Sequence, residues 1–166
     1  MAAKTKRRTS EKSVSKTPDA IALLKADHRQ VEDWFSQFDN TNSESRKQQL
    51  ASNICDALNV HTTIEEEIFY PAFIEATGDK DTHHEAVVEH AGAKTLIAEI
   101  QVMSAADDYF DAKVTVLSEM IKHHVKEEER PGGMFAEAKK SEMDLQALGD
   151  QLLARKRELQ ANAQAA

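Results

Sequence analysis

Histidines and glutamates recur in this sequence at matched spacings, and both are residue types that bind metal ions. The six candidates are His28, His61, Glu65, His90, His124 and Glu128. The first two histidines are 33 residues apart and the last two are 34 apart. A glutamate lies four residues after the second histidine of each pair, where it stacks on the same helix face about 6 Å further along the axis. The chain thus contains two copies of a helical hairpin with matched polar positions.

Burial of this group requires a cation. Unpaired buried ions cost several kcal/mol each, whereas a cation binds neutral imidazole and ionised carboxylate favourably. Six ligands without a thiolate exceed a tetrahedral zinc site and favour iron or manganese. Two metals about 3.5–4 Å apart could share Glu65 and Glu128 as bridges. In this arrangement one metal lies between His28 and His61 and the other between His90 and His124.

Apolar periodicity predicts the helices that must position these ligands. Apolar residues recur every three or four positions over 21–38, 50–68, 87–100 and 110–128, and each stripe contains one of the histidines. A further segment over 135–160 predicts a fifth helix packed outside the bundle. The stripes include Val87 in the third helix. The fold class expected is therefore all-α, an up-down-up-down four-helix bundle with an additional C-terminal helix.

Local signals predict where these helices begin and end. Thr17-Pro18-Asp19 begins the first with a capping hydroxyl, and the polar stretch Asp39 to Ser45 ends it. Pro71 is expected to break the second helix, and Asp107 to cap the fourth. The fourth ends at Pro131-Gly132-Gly133.

The spacing also predicts that the four histidines lie at one height. In an antiparallel hairpin, residues equidistant from the turn are level with each other. The midpoints between successive histidines fall between residues 44 and 45, near 75 and 76, and at 107, which are all predicted connections. The histidines should therefore point into the bundle at a common level.

Composition limits the other classes of function. With only 5 glycines and 3 prolines in 166 residues, the chain has little of the turn chemistry of a many-stranded β fold. The single cysteine, Cys55, excludes an internal disulfide framework and favours a reducing compartment. No apolar run is long enough to span a membrane, and no signal peptide is recognisable, so we expect a cytoplasmic protein.

Charge separates the N-terminus from the rest. Residues 1–17 carry six basic residues and one acidic residue, which is a net charge of +5. Because the formal net charge of the whole chain is −8, the remaining residues carry −13. We expect 1–17 to be a disordered basic tail, 18–140 to be the bundle and 141–166 to be the C-terminal helix packed on it. An acidic body of this kind is not expected to bind nucleic acid.

Four segments of the sequence resemble the hemerythrin-like (HHE cation-binding) domain family over about residues 18–140. They are Ala26-Asp27-His28, the run from His61 to Pro71, Glu89-His90, and the run from His124 to Glu129. The resemblance implies a four-helix bundle around a non-haem di-iron centre in which the six candidate residues are iron ligands and the two glutamates bridge. It also implies a small ligand, namely dioxygen, peroxide or nitric oxide.

The sequence departs from the oxygen-carrying members of that family. They have a further histidine at the position of Ala86, and their last carboxylate is an aspartate five residues after its histidine. The pattern here resembles members to which peroxide degradation has been attributed. We therefore expect a catalase-like reaction with hydrogen peroxide, or a reaction with dioxygen; the alternative is a non-catalytic sensor or store of iron, oxygen or nitric oxide.

Several nearby polar residues have a second interpretation. His83 would compensate for the missing ligand only if its helix start unwound, and His123 with Glu127 offers a rival register to His124 with Glu128. The other acidic residues beside the ligands are expected to be solvated; these are Asp27, Glu66, Glu67, Glu89, Glu127 and Glu129. Tyr70 and Tyr109 could line the pocket, although packing is their expected role.

Overall fold

The structure is a computed structural model that describes residues 17–165, and in this range it contains helices and no strands. The elements are α1 (Ala20–Asp39), α2 (Glu44–Ile64), a π-helical turn (Glu65–Phe69), α3 (Tyr70–Thr77), α4 (Lys80–Gln101), α5 (Phe110–Glu129), α6 (Met134–Lys140) and α7 (Leu145–Ala165). Helices α1, α2, α4 and α5 form the four-helix bundle, and α7 lies against α1 and α2. The predicted all-α bundle with an additional C-terminal helix is confirmed. Most of the predicted tail, 1–17, lies outside the described residues.

Two predicted helix caps are wrong. The N-cap of α1 is Asp19, whose carboxylate accepts a hydrogen bond from the backbone N–H of Ala22 at 2.8 Å, and not Thr17. Asp107 does not cap α5, which begins at Phe110. Its carboxylate instead accepts from the N–H of Ser104 within the preceding turn. In both cases the aspartate accepts a hydrogen bond from a backbone N–H that the conformation of its own turn brings within reach. The sequence alone does not specify that conformation.

Pro71 does not end the second helix. A π-helical turn immediately precedes it, in which the N–H of Tyr70 bonds to the carbonyl of Glu65, five residues back. This wider turn accommodates a residue that has no N–H and needs space for its ring. The chain therefore remains helical to Thr77, where Gly78 ends it in the left-handed conformation at φ 70°.

The apolar core has two parts, one on each side of the histidines. The turn-side cluster lies towards the α1–α2 and α4–α5 connections and includes Val31, Phe35, Leu58, Ile97 and Ile121. The α3-side cluster contains Leu24, Phe69, Tyr70, Phe73, Met134 and Phe135. In α4 the stripe passes through Ala86, which is buried, whereas Val87, predicted to be in it, is 37% exposed. The buried stripe of α4 includes Ala86 in place of the predicted Val87, because Ala86 lies on the same helix face as His90.

The C-terminal segment forms two helices where one was expected over 135–160. Residues 141–144 separate α6 from α7. Helix α7 approaches the start of α1 closely at Gly149, where a Cβ atom would lie 2.4 Å from the carbonyl oxygen of Pro18. Leu152 is fully buried beside this contact. Thus α7 is packed tightly against the first hairpin.

Candidate metal centre

The six predicted ligands meet in the middle of the bundle. Each is at most 5% exposed. The Nε2 atoms of His28 and His61 are 3.1 Å apart, and those of His90 and His124 are also 3.1 Å apart. The histidines are thus arranged as the two pairs that the spacing predicted, one from each hairpin.

Each glutamate lies between the two histidine pairs. Glu65 Oε2 is 3.2 Å from Nε2 of His61 on its own helix and 3.3 Å from Nε2 of His90 on the other hairpin. Glu128 also reaches both pairs: its Oε1 is 3.5 Å from Nε2 of His124, and its Oε2 is 3.4 Å from Nε2 of His28. Two sets of donor atoms therefore lie close enough to hold a metal ion, and Glu65 belongs to both: His28, His61 and Glu65, and Glu65, His90 and His124.

Each histidine also bonds an outer carboxylate through its other ring nitrogen, Nδ1. The pairs are Asp27 with His61 (3.4 Å), Glu66 with His90 (2.9 Å), Glu89 with His124 (2.6 Å) and Glu129 with His28 (2.8 Å). Every pair joins neighbouring helices, so the four carboxylates close a ring around the bundle. A carboxylate at Nδ1 fixes the proton there and leaves the Nε2 lone pair directed at the centre, as in metal-binding histidines.

Cations on the outer side hold these carboxylates in place. Lys156 of α7 bonds Asp27, Lys94 bonds Glu66 at 2.7 Å, and Arg29 bonds Glu129 at 2.7 Å. Burial raises the pKa of Glu129 and Glu66, but hydrogen bonds from their histidines and basic partners outweigh it and lower the pKa of both. The hydrogen bond from His124 lowers the pKa of Glu89. All three are therefore ionised at neutral pH.

The expectation that these four acids are simply solvated is wrong. Each is a sequence neighbour of a ligand: Asp27 and Glu89 precede His28 and His90, and Glu66 and Glu129 follow Glu65 and Glu128. A residue next to an inward-facing ligand lies at the helix–helix contact, where it reaches the histidine of the adjacent helix. That repeated adjacency was the available signal. Glu67 is exposed and pairs with Arg155 of α7.

Tyr70 is a further site residue whose expected role was packing. Its hydroxyl is fully buried in the α3-side cluster, 3.1 Å from Glu128 Oε1, 3.4 Å from Glu65 Oε2 and 3.1 Å from His90 Nε2. Its ring also lies beside that of His90, with 5.3 Å between the ring centroids. Burial and the two nearby carboxylates raise the pKa of Tyr70 well above its ordinary value, so the hydroxyl keeps its proton and donates it.

The pKa values of two site residues indicate that the centre lacks positive charge. Burial lowers the pKa of His61, yet Glu65 and Asp27 outweigh it and raise the pKa to about 10. Burial and the charge of Glu65 raise the pKa of Glu128 to about 8. Both residues thus take up protons where a cation would otherwise lie. In addition, Glu65 Oε1 and Glu128 Oε2 have no hydrogen-bond partner among the described residues. The donor set therefore fits two metal ions.

The alternative candidates lie outside this centre. The ring of His83 packs edge-on against Tyr70 at 5.7 Å between centroids and belongs to neither set of converging donors. The side chain of His123 is 60% exposed and bonds Glu89, and Tyr109 is 72% exposed. The structure brings His124 and Glu128 to the centre, not His123 and Glu127.

Comparison with known proteins identifies the class. The profile of the hemerythrin HHE cation-binding domain matches residues 19–131, more than half of the chain. The chain therefore belongs to the hemerythrin HHE cation-binding domain family, a family of metal-binding domains. A hemerythrin HHE cation-binding domain-containing protein from Mycobacterium kansasii has the same fold, with a TM-score of 0.73 and 22% sequence identity over 89% of this chain and 91% of that one.

A curated protein is also similar in sequence. It is described as a DNA nickase from Nostoc sp. (strain PCC 7120), and it is 28% identical over 107 residues, which are 64% of this chain. The match spans only 30% of the relative's length.

Within residues 17–165, none of the helices has an apolar stretch long enough to cross a lipid bilayer.

Proposed function

We propose that this chain holds two iron ions between its two histidine pairs and reacts there with a small oxidant, above all hydrogen peroxide. The observation that carries the proposal is the convergence of four imidazole Nε2 atoms and the carboxylates of Glu65 and Glu128, all buried. Nitrogen and oxygen ligands without thiolate suit iron. Bound iron would supply redox chemistry and open coordination positions for the oxidant.

The protein's own residues would orient the ligands and handle protons. The outer carboxylates keep the proton of each histidine on Nδ1, so that each Nε2 is free to bind. Tyr70 holds a proton at Oη within 3.1 Å of Glu128, where it can donate to a carboxylate or to an oxygen atom of a small ligand. Apolar clusters pack on both sides of the centre and surround the ligands with side chains that cannot compete for the metal. A single free thiol, buried Cys55, is compatible with the reducing cytoplasm as the site of action.

The test is anaerobic loading of the full chain with iron(II), followed by metal analysis and measurement of oxygen release from hydrogen peroxide. We expect about two iron ions per chain and steady oxygen release. Glu65→Ala should lose both, and His124→Ala should lose the oxygen release. The matched controls are Glu75→Ala and His84→Ala, which alter exposed residues of the same type.

Two results would contradict this proposal. Iron content near zero after loading would exclude the centre, and so would full iron retention at pH 4, because histidine ligands must lose the metal as they protonate. Bound iron without peroxide turnover, but with a reversible spectral change on addition of dioxygen or nitric oxide, would indicate the sensing or storage role instead.

A further inference from the structure

A cavity of about 360 Å³ adjoins the centre on the side opposite Tyr70. All four histidines line its inner end. Its walls are formed by apolar residues of the turn-side cluster, namely Val31, Leu58, Ile121 and Val125, together with Trp34. Exposed Gln30 and Gln160, together with Lys156, lie at its rim. The cavity thus joins the metal centre to the protein surface between α1, α2 and α7.

This volume is far larger than a diatomic molecule or hydrogen peroxide requires. One water molecule occupies about 30 Å³ of liquid, and an apolar cavity of about 150 Å³ can hold benzene. The cavity here therefore accommodates a molecule roughly twice the size of benzene. Apolar walls with a few converging polar groups at one end are the usual construction of an organic ligand site.

The geometry points to this cavity as a binding site for an apolar organic molecule with one oxygen-bearing end, of the class of alkyl and aryl hydroperoxides. The hydrocarbon part lies against Trp34, Val31 and Leu58, and the oxygen-bearing end lies at the histidines. The assignment of a hydroperoxide rests on the proposed function, since an oxidant must reach the metal centre. The binding of the organic part rests on the cavity alone.

Helix α7 makes the site selective. Lys156 is held at the rim by its bond to Asp27, which in turn bonds His61. The rim of the cavity is polar and its walls are apolar. Beyond the rim, the main polar groups of the described lining are the histidines at the inner end. An amphipathic molecule therefore binds with its polar end inward.

The experiment uses the iron-loaded full chain and the unreactive alcohol 2-phenylpropan-2-ol. Binding is followed by calorimetry and by the emission of Trp34, the sole tryptophan of the chain. We expect saturable binding of one molecule per chain, at least about tenfold tighter than tert-butanol, because the phenyl ring buries additional apolar surface. Emission should change in parallel.

Two variants fill the cavity, and one control does not. Ala57→Leu and Val60→Phe enlarge half-buried lining residues and should weaken binding about tenfold. The control Ala98→Leu is also an alanine-to-leucine substitution, but at an exposed position of α4 away from the cavity. It should leave binding unchanged. Circular dichroism and thermal unfolding establish that each variant is folded, and either cavity variant alone suffices for the comparison.

The outcomes separate this inference from the proposed function. The absence of saturable binding, or equal binding by both cavity variants and the control, overturns the inference even if hydrogen peroxide is consumed. Two results together support the inference. Ala57→Leu weakens binding of the alcohol, and it reduces the consumption of 2-phenylpropan-2-yl hydroperoxide more than the consumption of hydrogen peroxide. Binding without consumption of either peroxide supports the cavity site but overturns the hydroperoxide assignment together with the proposed function.

Discussion

The α1–α2 and α4–α5 hairpins supply equivalent residues to the centre but surround them differently. Each contributes an outer acid, two histidines, a glutamate and a second outer acid. Yet the first hairpin has a π-helical turn at its glutamate, whereas Glu128 lies in regular α-helix. The hydroxyl of Tyr70 lies closest to His90 and Glu128 of the second hairpin. Helix α7 packs on α1, α2 and the π-helical turn of the first hairpin.

This comparison teaches that the two histidine pairs have similar neighbouring carboxylates but different surroundings. Glu65 presents a single oxygen, Oε2, to histidines of both hairpins, while Glu128 uses a different oxygen for each. The hydroxyl of Tyr70 lies 3.1 Å from Nε2 of His90, and within residues 17–165 no hydroxyl makes the equivalent contact with His28 or His61. Five predictions test how far the hairpins are equivalent.

The largest expected effect is on iron content when one of the two central glutamates is removed. Glu65→Ala should leave almost no iron after desalting, because this residue completes both sets of donors. Glu128→Ala should retain more iron, because Glu128 belongs to neither set of converging donors. Metal analysis of both variants against Glu75→Ala measures the difference. Equal losses would mean that the two glutamates are interchangeable.

Removal of the charge of an outer carboxylate should weaken iron binding by about 10- to 100-fold. Glu89→Gln should have a larger effect than Asp27→Asn, because the Glu89–His124 contact is 2.6 Å and the Asp27–His61 contact is 3.4 Å. Competition with a chelator measures both affinities. Glu85→Gln, at an exposed position of α4, is the control, and an affinity for iron unchanged in Glu89→Gln would exclude its role in orienting His124.

The packing of α7 on the first hairpin should depend on Gly149. Gly149→Ala places a methyl group against the backbone of Pro18 and Asp19, so the free energy of unfolding should fall by roughly 2 kcal/mol. Gly92→Ala is the matched control, because its new methyl group meets only the flexible end of Met120. Urea unfolding of the two variants gives the comparison, and equal stabilities would show that α7 adjusts its position without cost.

Tyr70 should stabilise chiefly the second hairpin, because the shortest contacts of its hydroxyl, 3.1 Å each, are to His90 and Glu128. Tyr70→Phe preserves the ring but removes a hydrogen bond to buried Glu128, which should lower the free energy of unfolding by about 1.5 kcal/mol. Tyr109→Phe changes an exposed residue and should have no effect. Chemical denaturation measures both, and an unaltered stability of Tyr70→Phe would imply that Glu128 finds another donor.

The smallest effect concerns a buried position that differs between the hairpins. Cys55 and Ser118 each lie six residues before a ligand histidine, and both are buried. Burial raises the pKa of the Cys55 thiol to about 12, and Ser118 Oγ has no hydrogen-bond partner among the described residues. Cys55→Ser should therefore destabilise the chain by about 1 kcal/mol, while Ser118→Cys should be neutral or stabilising. Thermal unfolding measures both, and the opposite signs would contradict an apolar environment at both positions.

Much of the fold could be predicted because its signals are local and repeated. The apolar stripes and the histidine midpoints predicted four antiparallel helices and a common height for His28, His61, His90 and His124. The prediction failed at Pro71, because a wider helical turn can accommodate proline, and at the single C-terminal helix, which is divided at 141–144. It also failed for the outer acids, because their adjacency to the ligands does not by itself show that each of them reaches a histidine of the neighbouring helix.

The sequence by itself determined the class of fold and the six converging candidates, since helical periodicity fixes which side chains share a face. Tertiary structure alone decided which acid bonds which histidine, because those bonds connect neighbouring helices. It also decided that Tyr70 reaches the centre from one side and that a large apolar cavity opens on the opposite side. These features depend on how the helices pack and on the space left between them, and no periodicity along one segment of chain specifies that space.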